Sequence, residues 1–357
     1  MTREQHLLIQ LLSVALGKDN IQLPIDEIEW SVIFQLSEEQ ELSAIALDGY
    51  QKIHNILGSQ AIGKSELLNW LGNSFYIESQ YDKQYQSSKE LSDFFYSHNH
   101  ITYVLKGISI ARCYPNPKHR FSCDFDCMLI DIKNKAISSE DGNKLVEGIG
   151  GKVDRSYYKN SSFVYKGLHV ENHCFCCSIK RGKKTKELET ILEGLLLNNP
   201  PTFIGDTKIA LPPLLFQALF LIEHASGHFL YEKMSLKNIC DWAMFRKHYQ
   251  NDLDWPHFYE LCERYGLLRF VGTMNHLADL VLGSCNYNEL KDLDKKVLED
   301  TLKQAKLPSN PMLQRINKAS DVLHSNWKFK YFSKDSMLKE LSSSFFAFLF
   351  DKNPQLV

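Results

Sequence analysis

The sequence lacks the signals of several common protein classes. It contains no apolar run of about 18 residues, which a membrane-spanning helix needs, and its N-terminal segment is too polar for a signal peptide. It also contains no Walker A loop, no G-x-G-x-x-G and no G-x-S-x-G motif. We therefore expect a cytoplasmic protein without a membrane partner, outside the P-loop, Rossmann and α/β-hydrolase classes.

The charge and the cysteine content indicate further which partners and cysteine roles to expect. The formal net charge is −2, so no overall basic field marks nucleic acid as the default partner. The nine cysteines are scattered without zinc-type pairing, which predicts reduced, structural thiols. With 357 residues, of which 44% are hydrophobic, the chain is long enough to bury a sizeable core in about two domains.

The stretch from Thr102 to Ile132 carries the clearest chemical signal. An apolar, strand-like run is broken by Lys106-Gly107, a short helical pattern follows, and a second strand carries Asp124-Phe125-Asp126. Successive side chains of a strand alternate between faces, so the two aspartates share one face, whereas the other face is apolar. Two neighbouring carboxylates repel each other unless a cation lies between them. The pair therefore predicts a Mg²⁺ or Mn²⁺ site.

Groups suited to phosphate accompany the two carboxylates. Gly107 follows a strand and precedes a helix, which lets backbone N–H groups approach a phosphate, and Lys106 adds a positive charge. Arg120 lies between this turn and the carboxylates in the sequence. Because Mg²⁺ is commonly bound by one or two carboxylates together with substrate phosphates, this assembly suits a nucleoside triphosphate.

A third carboxylate is predicted on the strands downstream. Two strand patterns, Lys152–Ser156 and Phe163–Ser178, flank a hairpin turn predicted at residues 159–162. Glu171 and His173 share one face of the second pattern. We predict that Glu171 is the third acidic ligand, on a strand next to the first two aspartates; the alternative is that it faces solvent on an edge strand. His173 either bonds a metal ligand or the substrate, or it has a structural role.

A series of motifs across roughly residues 20–250 is shared with a known protein family. The core motifs are Leu105-Lys106-Gly107, Tyr114, Arg120 and Asp124-Phe125-Asp126 followed by Met128-Leu129-Ile130. The downstream motifs are Val170-Glu171-Asn172-His173, then His224 and His228, then Asp241. In these motifs the chain resembles the uncharacterised bacterial nucleotidyltransferase-like family, within the DNA polymerase β-like superfamily. Enzymes of that superfamily commonly have Gly-Ser where this chain has Lys106-Gly107, so their phosphate contacts do not transfer directly.

The resemblance implies an α+β fold, in which helices flank a mixed β-sheet core of nucleotidyltransferase type. Helical spacing through residues 3–99, and again from Pro212 onward, agrees with it. The helix-breaking run Asn198-Asn199-Pro200-Pro201 is the best candidate boundary. We expect a helical N-terminal region over residues 1–99, the nucleotidyltransferase-like core over 100–199 and a helical C-terminal domain over 200–357.

Polar residues on a predicted buried helix, Leu214–Tyr231, form a second candidate set. Gln217, His224 and His228 fall on one stripe of that helix. Buried polar groups need partners, so we expect the histidines to be structural or to line the cleft, with substrate contact and metal binding as alternatives. No glutamate follows His224 as it would in a His-Glu-x-x-His zinc helix. We expect Asp241, on the next helix, to orient one of the two histidines.

The hypothesis that follows is a metal-dependent nucleotidyltransferase, which moves a nucleoside monophosphate from a nucleoside triphosphate to a small molecule, a protein or an RNA. In this hypothesis Asp124, Asp126 and Glu171 bind one or two Mg²⁺ or Mn²⁺ ions. Lys106, Gly107 and Arg120 hold the phosphates of the nucleotide. Three alternatives stay open: a non-catalytic nucleotide-binding protein on the same fold, a toxin-like transferase acting on tRNA or protein, and a phosphoryltransferase.

Overall fold

The computed structural model describes residues 1–18, 28–179, 182–303 and 326–333, and helices predominate in them. The α-helices are α1 (Arg3–Ala15), α2 (Trp30–Glu39), α3 (Ser43–Leu57), α4 (Lys64–Ser97), α5 (Ile108–Ala111), α6 (Ser139–Gly148), α7 (Lys183–Asn198), α8 (Leu214–Tyr231), α9 (Leu236–His248), α10 (Trp255–Tyr265), α11 (Leu268–Val281), α12 (Asp292–Thr301) and α13 (Asn326–Phe332). In these ranges every helix is too short or too polar to cross a membrane.

The described strands form one mixed, eight-stranded sheet. They are β1 (His100–Val104), β2 (Asp124–Asp131), β3 (Ala136–Ile137), β4 (Val153–Asp154), β5 (Asn160–Tyr165), β6 (Leu168–His173), β7 (Thr202–Phe203) and β8 (Ile209–Leu211). The order is β4-β5-β6-β2-β1-β8-β7, with β3 paired to the end of β2. β2 runs parallel to β6 and antiparallel to β1, which runs parallel to β8. The expected α+β fold with a mixed sheet is confirmed, and the sheet continues past residue 199 through β7 and β8.

The central strand β2 divides its side chains between two cores. Phe125 and Cys127 belong to a core that α4 and α6 cover. On the opposite face, Met128 and Ile130 follow Asp126 and belong to the larger of the two clusters. Helices therefore cover the carboxylate-bearing face as well, and Asp126 lies at the border of an apolar interior.

The larger core joins helices from the beginning of the chain to helices that follow the sheet. Leu8, Leu11 and Leu12 of α1 are all 0% exposed, and they belong to the same cluster as buried residues of α8, α9 and α11. The Ser13 hydroxyl lies 2.9 Å from the Ile9 carbonyl and 3.3 Å from the Leu280 carbonyl, so it bridges α1 and α11. The helical segments that flank the sheet in sequence thus share one interior.

The hairpin of β5 and β6 differs from the sequence prediction. The turn predicted at residues 159–162 overlaps the start of β5, and the chain reverses instead at Lys166-Gly167, between the paired residues Tyr165 and Leu168. Both turn residues have positive φ, 48° and 81°, as a two-residue type I′ loop requires. The sequence concealed this turn because lysine is uncommon at positive φ, whereas asparagine and serine at 160–162 resemble turn residues.

Candidate functional site

Two parallel strands bring three ionisable side chains together. The Cα register of β2 and β6 sets Asp126 opposite Glu171, so Glu171 lies on the strand beside the aspartates. The Nε2 atom of His173 lies 3.1 Å from Asp126 Oδ1 and 3.5 Å from Glu171 Oε2. One potential ligand atom from each of the three residues lies within 4.8 Å of the other two. Because β6 lies between β5 and β2, the alternative of an edge strand for Glu171 is wrong.

Asp126 is the most enclosed member of this cluster, with a side chain that is 2% exposed. Burial acts to raise the pKa of Asp126, but the Lys106 ammonium and the His173 imidazole outweigh burial and hold the pKa well below its ordinary value. Its Oδ2 atom has no hydrogen-bond partner in the described part of the chain, although Lys106 Nζ lies 3.4 Å away. An ionised, buried oxygen without a hydrogen-bond donor is a favourable position for a cation.

The donor set of the cluster fits a divalent metal ion. Two carboxylates suit Mg²⁺ or Mn²⁺, and an imidazole nitrogen favours Mn²⁺ over Mg²⁺. Asn160 Nδ2 donates to Glu171 Oε2 at 2.6 Å and so holds this carboxylate in place, as partners of metal ligands commonly do. Burial acts to lower the pKa of His173, but Asp126 and Glu171 outweigh it and raise the pKa. The two carboxylates therefore favour the protonated form of His173.

Asp124 lies beside the cluster rather than in it. It shares a face of β2 with Asp126, yet the three residues whose ligand atoms come within 4.8 Å do not include it. Asp124, His169 and Glu171 line an open cleft of about 850 Å³. Burial raises the pKa of Asp124, and the negative charges of Asp126 and Glu171 raise it further. The three predicted carboxylates thus share one electrostatic environment, with Asp124 facing the cleft.

Lys106 connects the carboxylates to α8. Its Nζ lies 3.1 Å from His224 Nε2, and an ammonium can only donate, so this ring nitrogen accepts. Burial lowers the pKa of His224 well below its ordinary value, and the charge of Lys106 lowers it further, which keeps the ring neutral. His228 Nε2 lies 3.0 Å from the same His224 nitrogen, and His228 Nδ1 lies 2.6 Å from Glu232 Oε2. A continuous row of polar groups therefore runs from Asp126 to the protein surface.

Gly107 makes the turn that places Lys106 in this position. Its φ is +69°, a conformation that strains residues with a Cβ atom, and an added Cβ would lie 3.2 Å from Ser122 Oγ. The chain can therefore turn directly from β1 into the short helix α5.

Arg120 and Asp241 form a separate buried pair. Arg120 Nε and Nη2 donate to the two Asp241 oxygens at 3.0 and 2.6 Å, and the Tyr114 hydroxyl donates to Asp241 Oδ1 at 2.8 Å. Burial acts to raise the pKa of Asp241, but Arg120 outweighs it and lowers the pKa. A phosphate contact by Arg120 would require this pair to break. Asp241 bonds to Arg120 and Tyr114. The expectation that Asp241 orients His224 or His228 is therefore wrong.

Two residues beside the cluster carry no sequence motif. Asn160 holds Glu171, and Lys159 immediately precedes it in the chain. Both residues fall within the turn predicted at residues 159–162. A turn predicted at Lys166-Gly167 instead would have identified Asn160 and Lys159, because Asn160 then pairs with His173 across the hairpin.

Most of the chain matches a known protein family. A family described as "Uncharacterised nucleotidyltransferase" matches residues 26–283, which is more than half of the sequence. This range contains the sheet and the residues from Lys106 to Asp241 described above. No curated protein and no solved structure matches the chain.

Proposed function

Because the chain belongs to the uncharacterised nucleotidyltransferase family, we propose that it transfers a nucleoside monophosphate from a nucleoside triphosphate to an acceptor. An acceptor hydroxyl gives its proton to solvent water, and its oxygen attacks the α-phosphorus. The bond from this phosphorus to the oxygen bridging to the β-phosphate breaks, and pyrophosphate leaves with the electron pair. The observation that carries the proposal is the convergence of Asp126, Glu171 and His173 beside an Asp126 oxygen that accepts no hydrogen bond in the described residues.

In this proposal Asp124, Asp126 and Glu171 hold Mg²⁺ or Mn²⁺, with His173 bound to the ion or to Asp126. Such an ion, when bound, supplies positive charge for the phosphates and polarises the α-phosphate. The shared face of two adjacent strands supports this set of ligands. The raised pKa of Asp124, caused first by burial and then by the Asp126 and Glu171 charges, supports it as well.

The chain's own positive and backbone groups would position the nucleotide. Lys106 is held between Asp126 and His224, so its ammonium needs little rearrangement to meet a phosphate beside the carboxylates. The backbone at Gly107 would approach a phosphate oxygen closely because no Cβ stands there. Arg120 would contribute by fixing the segment before β2 through its pair with Asp241.

Release of pyrophosphate tests this reaction directly. Each of the four ribonucleoside triphosphates is supplied with Mg²⁺ or Mn²⁺, with cell extract as the source of acceptor. We expect Asp126→Asn to lower the rate by roughly a thousandfold or more, because an amide is a weak substitute for an ionised ligand. Asp141→Asn is the matched control, since Asp141 is 58% exposed on α6, and it should keep the wild-type rate. Full activity of Asp126→Asn would show the mechanism to be wrong.

The same assay separates the other hypotheses. A non-catalytic nucleotide-binding protein would need no third carboxylate near the first two, whereas Glu171 is in register with Asp126. Metal-dependent nucleotide binding without release of pyrophosphate would nevertheless favour it. Label transferred from the γ-phosphate would indicate a phosphoryltransferase, and label transferred from the α-phosphate would identify the acceptor as a small molecule, a protein or an RNA.

A further inference from the structure

Lys159 is a buried lysine at the edge of the carboxylate cluster. It is 8% exposed and directly precedes β5. Its carbonyl accepts the N–H groups of Cys174 and Phe175, at 2.8 and 3.1 Å, immediately after His173 at the end of β6. These two backbone bonds fix Lys159 beside the cluster, although the residue belongs to no motif.

The ammonium of Lys159 has no counter-ion. Over the described ranges, no hydrogen bond or ion pair of the protein includes its Nζ atom. Among the nearby acidic groups of the described chain, Glu171 is bonded to Asn160 and His173, and Glu189 accepts the N–H groups of Cys176 and Cys177. Glu223, which is 9% exposed, forms no ion pair with Lys159 in these residues. A largely enclosed lysine without a protein partner can offer its ammonium to a ligand or ion, which would compensate the charge.

The charge of Lys159 acts on the same groups as that of Lys106. After burial, which is the main cause, the charges of Lys106 and Lys159 both lower the pKa of His224. Lys159 also acts to lower the pKa of His173, against the stronger opposite effect of the carboxylates. The charges of both lysines therefore act on the region between the cluster and α8, where Lys106 contacts both Asp126 and His224.

We propose that Lys159, together with Lys106, binds the pyrophosphate portion of the nucleoside triphosphate and holds it as the leaving group. The inference rests on the proposed nucleotidyl transfer, because it assigns a site to one part of that substrate. Pyrophosphate is the most highly charged part of the nucleotide, and an ammonium offers three N–H donors to its oxygens. In this arrangement the carboxylates lie beside the reacting α-phosphate, and the two lysines bind the departing pyrophosphate.

Binding of inorganic pyrophosphate tests the assignment without any turnover. Isothermal titration compares the wild type, Lys159→Met and Lys144→Met, with and without Mg²⁺. Lys144 is a matched control because it is 65% exposed on α6 and pairs only with Asp141 among the described residues. We expect Lys159→Met to bind pyrophosphate about tenfold more weakly or worse, as the loss of one charge-assisted contact predicts, and Lys144→Met to bind as the wild type does. Equal affinities of wild type and Lys159→Met would overturn the inference.

Thermal unfolding supplies a readout that a merely structural lysine would move in the opposite direction. Without ligand, Lys159→Met and Lys159→Gln should melt no lower than the wild type, because each removes a largely enclosed charge and breaks no ion pair of the described residues. Pyrophosphate should raise the melting temperature of the wild type and have less effect on both variants. If both variants are strongly destabilised or fail to fold, the ammonium has a structural role and the inference is wrong.

Two combinations of binding and turnover results would separate the role of Lys159 from the proposed transfer reaction. If pyrophosphate binding depends on Lys159 while no triphosphate releases pyrophosphate, the anion site stands and the proposed reaction fails. If Asp126-dependent transfer occurs and Lys159→Met retains wild-type affinity for pyrophosphate, the reaction stands and the role of Lys159 is refuted.

Discussion

The three carboxylates on β2 and β6 lie in different environments. Asp126 is buried between Lys106 and His173, and its lowered pKa keeps it ionised across the ordinary pH range. Asp124 lines the cleft and has a raised pKa, chiefly because of burial. Glu171 is 39% exposed and is held by Asn160. One fixed anion beside two more accessible carboxylates is an arrangement in which a cation can be gained and lost.

The third carboxylate can be tested separately from the first two. We expect Glu171→Gln to lower metal-dependent pyrophosphate release by roughly a hundredfold or more, because it removes one ionised ligand. Its melting temperature should stay close to that of the wild type, since the amide can still meet Asn160. Glu187→Gln is the control, on a side chain that is 48% exposed and pairs only with Lys183 in the described part of the chain. Wild-type turnover by Glu171→Gln would exclude Glu171 as a ligand.

A histidine away from the site predicts a pH dependence of stability. His119 Nδ1 lies 2.7 Å from Asp48 Oδ2, and its Nε2 lies 2.8 Å from Glu78 Oε1. Burial acts to lower the pKa of His119, but the two carboxylates outweigh it and raise the pKa above the ordinary value of 6.5. A group whose pKa is raised on folding stabilises the protein fully below its unfolded pKa, and this contribution is lost as pH rises through the folded-state value.

We therefore expect His119→Gln to lower the free energy of unfolding more at about pH 6 than at about pH 9. Denaturant unfolding at a series of pH values measures the difference from the wild type. His257→Gln should show little such trend, because His257 is 47% exposed and its contact with Glu260 is screened by solvent. A constant difference across the series would mean that His119 is not protonated in the folded protein.

At the scale of elements, the pair of Arg120 and Asp241 fastens the segment before β2 to α9. Asp241 lies on α9, whereas Tyr114 and Arg120 lie in the connection between α5 and β2. Both charged side chains are at most 6% exposed. The loop that precedes Asp124 and Asp126 is thus anchored to α9 by a charged contact. Disruption of that contact should lower the stability of the fold before it affects the chemistry of the site.

Asp241→Asn should destabilise the protein by about 3–5 kcal/mol, because it leaves the buried guanidinium of Arg120 without a counter-ion. Urea unfolding measures the loss. The double variant Arg120→Met with Asp241→Leu should recover much of it, since no unpaired charge remains. Asp279→Asn, which removes a partly exposed pair with Arg246, should cost less than about 1 kcal/mol. Equal costs of the two single variants would contradict the role assigned to the buried pair.

Alternation along single strands made part of the site predictable from the sequence. The shared face of Asp124 and Asp126, and that of Glu171 and His173, follow from a period of two residues, and the family motifs point to the same positions. The partner of Arg120 could not be predicted in this way, because Asp241 is 121 residues away and only tertiary packing brings them together. Lys159 was missed because the turn predicted at residues 159–162 included it, whereas its carbonyl in fact accepts from Cys174 and Phe175 at the end of β6.

At the scale of the whole molecule, one interior joins α1 to the helices that follow the sheet. We expect Leu12→Ala, at a position that is 0% exposed, to cost about 2–5 kcal/mol and to destabilise all parts of the fold together. Circular dichroism and tryptophan fluorescence should therefore give coincident urea transitions, both shifted to lower urea. Leu68→Ala, at a side chain on α4 that is 59% exposed, should shift neither appreciably. Two separated transitions would show that the helical regions unfold independently.

The contact between α1 and α11 also has a consequence during synthesis on the ribosome, because it cannot form until α11 has been translated. The hydroxyl of Ser13 and the carbonyl of Leu280 are 267 residues apart in sequence, so α1 emerges long before its partner has been translated. At a synthesis rate of about 5–20 residues per second, the wait is on the order of tens of seconds. During that interval the contacts of α1 with α2 and α3 can already form, whereas the part of α1 that packs on α11 stays uncovered. Slow codons or chaperone depletion should thus affect the yield of this protein more than that of proteins whose helices pack only on neighbouring segments.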